Sequence, residues 1–246
     1  MPYGIEIVNK DEDTADLLIY GYITDEKWYD EDVTPKEFKR ELDKLKNKKS
    51  VNVRINSGGG GVFAGMAIYN MLKTFKGETN GIVDGIAASI ASVILQGCKN
   101  RIVPKNGLVM IHNPSSVAIG DANAFRKEAE ILDKVKDAII ATYTERSSLK
   151  ENKIKKMMDD ETWMTGEEAV SMGFADKVEE LSNVKACLQD GKMLVNGQEF
   201  DEKRYKSFPK DRIKIENTVI PEPEKQVQEP LNDMDLFELQ HVNNLN

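Results

Sequence analysis

The sequence predicts an α/β fold built from repeated strand, turn and helix units, with one long projecting helix. Three observations lead there. Short apolar runs of strand length recur along the chain, glycine-rich or polar turns follow them, and helical stretches that are amphipathic or apolar all round come next. That order, repeated, implies parallel strands joined by right-handed crossovers. The chain has 246 residues, enough to bury a full core with an appendage besides.

The elements follow in order. Ile5 and Ile7, and then residues 16–23 (DLLIYGYI), read as strands of an opening sheet separated by a polar turn at 9–14. Thr34, Pro35 and Glu37 supply an N-cap, a proline at the first helical position and an acid at the third. Phe38, Leu42 and Leu45 then share one face of a helix that ends near Asn47. Val51, Val53 and Ile55 alternate as a strand that runs into Asn56, Ser57 and Gly58 to Gly61, and an apolar helix covers 62–75. In the next round Gly81 to Val83 form a buried strand, Asp84 and Gly85 a turn, and residues 87–95 (AASIASVIL) a helix that has to be internal. Residues 101–103 and 108–111 are strands around a turn at 104–107, and the second ends at His112, Asn113 and Pro114. Asp121 caps a long helix reaching about Ser147, with Phe125, Leu132, Val135, Ile139 and Tyr143 in one stripe. A shorter helix lies near 153–158, Thr165 to Glu168 form a capping box, and Gly173 suits the position just past a helix end.

Residues 1–180 are expected to form the main domain, 181–216 an extension, and 217–246 an acidic, disordered tail. The tail carries six acids (Glu222, Glu224, Glu229, Asp233, Asp235, Glu238) against Lys225. Met234, Leu236, Phe237 and Leu239 within it are either a segment that docks on a partner or incidental residues of a solubilising tail.

Charge and composition exclude several classes. Lys and Arg number 34 and Asp and Glu 42, a net charge of −8, the wrong sign for gripping a phosphate backbone, so nucleic acid is not an expected partner. No apolar run of about 18 residues is present, and the N-terminus has neither a basic nor an apolar leader region, so a cytoplasmic protein is expected. Cys98 and Cys187 lack metal-ligand spacing, and no metal or cofactor is expected. His112 and His241 are the two histidines, which restricts the choice of general base.

Three motifs carry chemistry. The glycine run sits where a strand meets a helix and unpaired N–H groups converge. Such a site suits phosphate, a dinucleotide or an oxyanion, or simply a tight turn. It lacks the Lys-Ser/Thr ending of a phosphate loop and does not give GxGxxG, which lowers the nucleotide readings. Ser89, after small residues at the start of the internal helix, is a helix cap or a nucleophile with the Ile90 N–H beside it. His112, at a strand end, is a structural histidine or the base that Ser89 needs. An orienting carboxylate would come from Asp159, Asp160 or Glu161, and chemistry alone does not choose among them.

Taken together, residues 55–69, 85–92, 110–114 and 165–176 (TGEEAVSMGFAD) resemble the ordered motif set of the Clp protease proteolytic subunit. They are closer still to its phage-encoded branch, the Clp-like head maturation proteases. The resemblance spans about Leu17 to Val178. It implies a crotonase-like superhelix of ββα units and endopeptidase activity on extended polypeptide. Ser89 matches the nucleophile, His112 the base and Glu161 the acid, while Gly59 or Gly60 with Ile90 matches the oxyanion hole. It further implies a homo-oligomer, with a ring as one form, and capsid, scaffold or portal proteins as partners. Gly58 stands where the family has proline, Glu161 where the Clp subunit has aspartate, and Asp160 where an arginine often makes ring-to-ring contacts. The resemblance leaves the need for an AAA+ unfoldase open, and the chain has no nucleotide-binding motif of its own. An acyl-CoA hydratase or isomerase on the same fold, or a non-catalytic assembly protein, are the rival readings.

Overall fold

A computed structural model of the chain describes residues 4–8, 11–180, 186–189, 192–195 and 198–209. The acidic stretch 217–246, with Met234 to Leu239 and His241, lies outside the described residues.

β1 (Gly4–Val8) pairs antiparallel with β2 (Thr14–Tyr20), and after α1 (Pro35–Lys44) the chain enters β3 (Ser50–Ser57), parallel to β2. α1 starts where the cap predicts, because the Thr34 hydroxyl accepts the Glu37 N–H at 3.2 Å. β3 ends in the glycine run, α2 (Val62–Thr74) follows, and β4 (Glu78–Ala88) returns parallel to β3. α3 (Ile90–Gln96), β5 (Asn100–Pro104) and β6 (Leu108–Ile111) come next. β4 serves two neighbours: Asn80 to Ile82 pair with β5, and Ile86 to Ala88 pair with β6, both in parallel. The long α4 (Ala122–Arg146) and α5 (Glu151–Asp159) lead to β7 (Thr162–Thr165), antiparallel to β6. α6 (Gly166–Ser171) and β8 (Lys177–Glu179), parallel to β5, complete the sheet. β9 (Ala186–Gln189), β10 (Lys192–Val195) and β11 (Gln198–Phe200) form a separate antiparallel sheet.

Two polar devices set the register of the main sheet. Asp16, Asn52, Asn80 and Asn100 stand at paired positions of β2, β3, β4 and β5, and each amide donates to the preceding strand at 2.7 to 2.9 Å. A slip by one residue would break this ladder and turn Val51, Val53 and Ile55 out of the core. The second device corrects the sequence reading. Asp84 and Gly85 are not a turn; β4 runs through them to Ala88, and the following helix begins at Ile90 and not at 87. Asp84 is buried because partners on two other strands neutralise it: Arg54 donates through Nε at 2.7 Å and through Nη2, and the Tyr20 hydroxyl donates at 2.6 Å.

α3 is internal, with all of Ile90 to Gln96 buried. α2 crosses it so closely that a Cβ on Gly65 would stand 2.2 Å from Ile90 Cγ1, so only glycine fits there. The C-terminal end of α4 is buried through Ile139, Ile140 and Tyr143, whose hydroxyl meets Ser92 Oγ at 2.7 Å. Its N-terminal part projects, with Phe125 exposed.

Arg101 anchors the far end of the sheet. At 3% side-chain exposure it contacts the Asp176 carboxylate through Nε at 3.0 Å and through Nη2 at 2.5 Å, and the Gly173 carbonyl through Nη1 at 2.8 Å. Burial pushes the Asp176 carboxyl up, but the hydrogen bond and charge of Arg101 outweigh it and leave it below 3.8. A carboxylate so lowered contributes stability above its unfolded value and loses it as pH falls through the folded one. Asp176→Ala is therefore expected to lower the unfolding free energy by about 1 kcal/mol at neutral pH, since the lost carboxylate is 40% exposed and Arg101 keeps its bonds to Gly173 and Gln96. In urea melts the gap between wild type and Asp176→Asn should be widest at neutral pH and close as pH drops below the ordinary carboxylate range.

Candidate active site

The site forms where β4 and β6 end side by side. Their parallel register pairs Ala88 with Met110, and the Ser89 N–H extends the ladder by donating to the Met110 carbonyl at 3.0 Å. Just beyond the strand ends stand Ser89, directly after β4, and His112, directly after β6. Ser89 turns sharply, with φ 55 and ψ −129, a left-handed conformation that costs a non-glycine residue about 1–3 kcal/mol. Although Ser89 sits at the cap position of α3, its side chain makes no capping bond. Its Oγ instead meets His112 Nε2 at 2.8 Å.

The antiparallel partner of β6 brings a carboxylate. Ile111 pairs with Thr162, so Glu161, the residue before β7, falls opposite His112, the residue after β6. Glu161 is 5% exposed and also left-handed, with φ 51. The other two acids of the triplet go elsewhere: Asp159 accepts from Asn113 at 2.8 Å and Lys136 at 2.6 Å, and Asp160 pairs with Lys156 at 2.8 Å on the surface.

Burial is the strongest influence on His112 and pushes its imidazole below 6.5; the Glu161 charge pulls it back up, and the Lys206 cation adds a smaller downward push. The ring is therefore neutral at neutral pH and able to accept a proton from Ser89 Oγ. For Glu161, burial again pushes the carboxyl up. The backbone N–H groups of Lys206 and Ser207 reverse this, with help from the Trp163 indole and the Ser207 hydroxyl, and hold it below 4.5. Among the described residues no hydrogen bond joins Glu161 to His112, so the two meet as charge and imidazole.

The glycine run closes the site from β3. Gly59 is left-handed at φ 94, and a Cβ there would stand 2.6 Å from Ser89 Cβ and 2.8 Å from the Ala88 carbonyl. Its N–H donates to Ser57 Oγ at 3.1 Å. Gly60 is held against Ile23 by the bonds of its neighbours, Ile23 N–H to the Gly59 carbonyl at 2.9 Å and Gly61 N–H to the Ile23 carbonyl at 2.7 Å. The N–H groups of Gly60 and of Ile90, at the start of α3, make no hydrogen bond among the described residues. Strand geometry thus gathers Ser89, His112 and Glu161, and Gly59 and Ile90 flank the serine. No group of three or more His, Cys, Asp or Glu side chains is placed to hold a metal among the described residues.

Comparison with known proteins matches residues 36–182 to the Clp protease family. The chain belongs to that family of serine peptidases. Two ATP-dependent Clp protease proteolytic subunits from Bacteroides fragilis strains are each 34% identical over 139 residues, 56% of this chain and 67% or 63% of theirs. The chain thus spans about two thirds of the length of these relatives. Family membership accounts for the mixed α/β architecture.

Sequence reasoning missed Trp163, Lys206 and Ser207, which donate to the Glu161 carboxylate, and Tyr205, whose ring packs on Trp163. The signal was a pair of aromatics, Tyr205 and Phe208, in an otherwise charged stretch. The steric limit at Gly59 gives a direct test. Gly59→Ala is expected to cut the rate at which a fluorophosphonate modifies Ser89 by about 100-fold or more, since a methyl group in contact with Ser89 Cβ must displace the corner. Gly61→Ala, whose added Cβ comes no closer than 3.5 Å to any neighbour, should leave that rate nearly unchanged.

Proposed function

We propose that the chain is an endopeptidase that cleaves polypeptide through an acyl-enzyme on Ser89. The observation that carries this reading is the 2.8 Å contact between Ser89 Oγ and His112 Nε2 at a strained strand-to-helix corner. In the proposed reaction His112 Nε2 takes the Ser89 proton as Oγ attacks the scissile carbonyl carbon. The oxyanion gathers beside the N–H groups of Ile90 and Gly60, while Gly59 supplies the close backbone approach and a third donor once its N–H leaves Ser57. His112 then hands its proton to the leaving amine. Water, deprotonated by the same imidazole, attacks the ester carbonyl, and the imidazolium gives its proton to Ser89 Oγ as the acyl C–O bond breaks. Glu161 stabilises the imidazolium as a nearby negative charge.

The catalytic unit in this proposal is residues 1–180, with 181–216 as an extension. A homo-oligomer, with a ring as one form, is supported by the unpartnered apolar side chains of the projecting region, Val117, Ile119, Phe125 and Ile131. The likeness of the motifs to phage-encoded Clp-like proteases supports a role in head maturation, in which capsid or scaffold proteins are cut in the host cytoplasm. No helix among the described residues is long and apolar enough to cross a membrane. The acyl-CoA reading and the assembly-protein reading both leave the Ser89 and His112 contact idle.

A fluorophosphonate is expected to modify the wild-type chain once, at Ser89, and to leave Ser89→Ala unmodified; absence of labelling in every oligomeric state would refute the nucleophile. The pH dependence follows from His112. Only the neutral ring acts as base, and its pKa lies below 6.5, so kcat/KM on a fluorogenic peptide should rise with pH to a plateau with a midpoint below 6.5. Glu161→Gln removes the charge that lifts the imidazole. It is expected to move that midpoint lower and to reduce kcat on the order of 10³-fold.

A further inference from the structure

The family match ends at residue 182, yet a later segment, 201–209, lies against the site. The Tyr205 hydroxyl donates to the carbonyl of Gly58, the first glycine of the run, at 3.0 Å. The Lys206 N–H donates to Glu161 Oε2 at 2.9 Å, and the Ser207 N–H donates to Oε1 at 2.8 Å. Ser207 Oγ donates to the Glu161 backbone carbonyl at 2.9 Å and lies 3.2 Å from Oε1. The rings of Tyr205 and Phe208 meet Trp163 edge-on at 5.1 and 4.9 Å.

We infer that Lys206 and Ser207 are positioning residues of the catalytic site, holding the Glu161 carboxylate ionised and fixed beside His112 from a part of the chain outside the matched protease region. The inference rests on the triad reading above.

A carboxylate at 5% exposure keeps its charge only if donors replace the water it has lost. Within the matched region its one side-chain partner among the described residues is the Trp163 indole, at a long 3.3 Å. The remaining donors all come from residues 206 and 207. Because no hydrogen bond ties Glu161 to His112, the carboxylate acts on the imidazole through space. Its effect then depends on where its donors place it. The bond from Ser207 Oγ to the Glu161 carbonyl also holds the left-handed backbone that aims the side chain. Tyr205 and Phe208 fix the strap by packing edge-on against Trp163, which lies in β7 two residues after the acid. One segment thus connects the glycine run, the acid and β7.

The test uses the full chain and three variants: Ser207→Ala, Ser207→Thr, and the double variant Tyr205→Ala/Phe208→Ala, which detaches the strap. Urea melts check folding. His112 is titrated by NMR, its signal separated from that of His241 with His241→Gln, and kcat and KM are measured against pH on a fluorogenic peptide. Ser207→Ala is expected to reduce kcat about ten-fold with KM unchanged and to lower the His112 midpoint. Ser207→Thr, which keeps the hydroxyl donor, should recover most of both. The double variant should lose about 100-fold. An unmoved midpoint and kcat in the double variant, with normal Ser89 labelling, overturn this inference alone. A raised midpoint and a faster enzyme overturn it too, since the strap would then be withholding the acid. A wild-type chain that never labels at Ser89 overturns the triad reading and this inference with it.

Discussion

The close approach of the glycine turn after β3 to the Ser89 corner after β4 is the constraint on which the rest of the site depends. Two parallel strands end side by side, one running into a turn where Gly59 has no side chain and the other into a serine forced into a left-handed conformation. With any Cβ at residue 59, the turn would collide with Ser89 and the Ala88 carbonyl. The sheet supports this contact from below. The ladder from Asp16 to Asn100 and the Arg54, Asp84 and Tyr20 cluster hold β2, β3 and β4 in one register, and α3 is pressed onto α2 where Gly65 leaves room for Ile90. Strain at Ser89 persists because its surroundings leave no alternative.

Electrostatics then treats two neighbouring groups differently, the partly buried His112 and the buried Glu161. Removal from water would by itself disfavour charge on both His112 and Glu161. For the imidazole this is useful, because a neutral ring is the form that accepts a proton. For the carboxylate it is a problem, and N–H donors from far along the chain relieve it. The same site therefore keeps one group neutral and the other ionised at a single pH, a difference in hydrogen bonding more than in depth.

Much of the fold was legible in local pattern. The alternation of Val51, Val53 and Ile55, the caps at Thr34, Asp121 and Thr165, and the uniformly apolar helix after Ser89 each find their counterpart in the structure. Asp84 and Gly85 read as a turn because a local view cannot see Arg54 and Tyr20, whose strands neutralise the aspartate. Ser89 and His112 were visible as candidates, since few residue types can serve and the chain has two histidines. Chemistry alone did not choose among Asp159, Asp160 and Glu161; the family resemblance pointed to Glu161, and the feature that sets Glu161 opposite His112 is the antiparallel register of β6 and β7, a long-range property. The strap was hidden for the same reason: two of its contacts with Glu161 are backbone donors about which side-chain identity says little, and nothing local ties the Ser207 hydroxyl to an acid so far back along the chain.

The most direct examination of the central claim is a crystal structure of the chain reacted with a peptide boronic acid, a mimic of the tetrahedral intermediate. The account predicts a covalent bond from boron to Ser89 Oγ. One boronate oxygen should lie within hydrogen-bond distance of the Ile90 N–H and a glycine N–H of the 59–60 turn, and His112 Nε2 should face another. Boron bonded elsewhere, or bonded to Ser89 with its oxygens turned to solvent and His112 swung away, would contradict it.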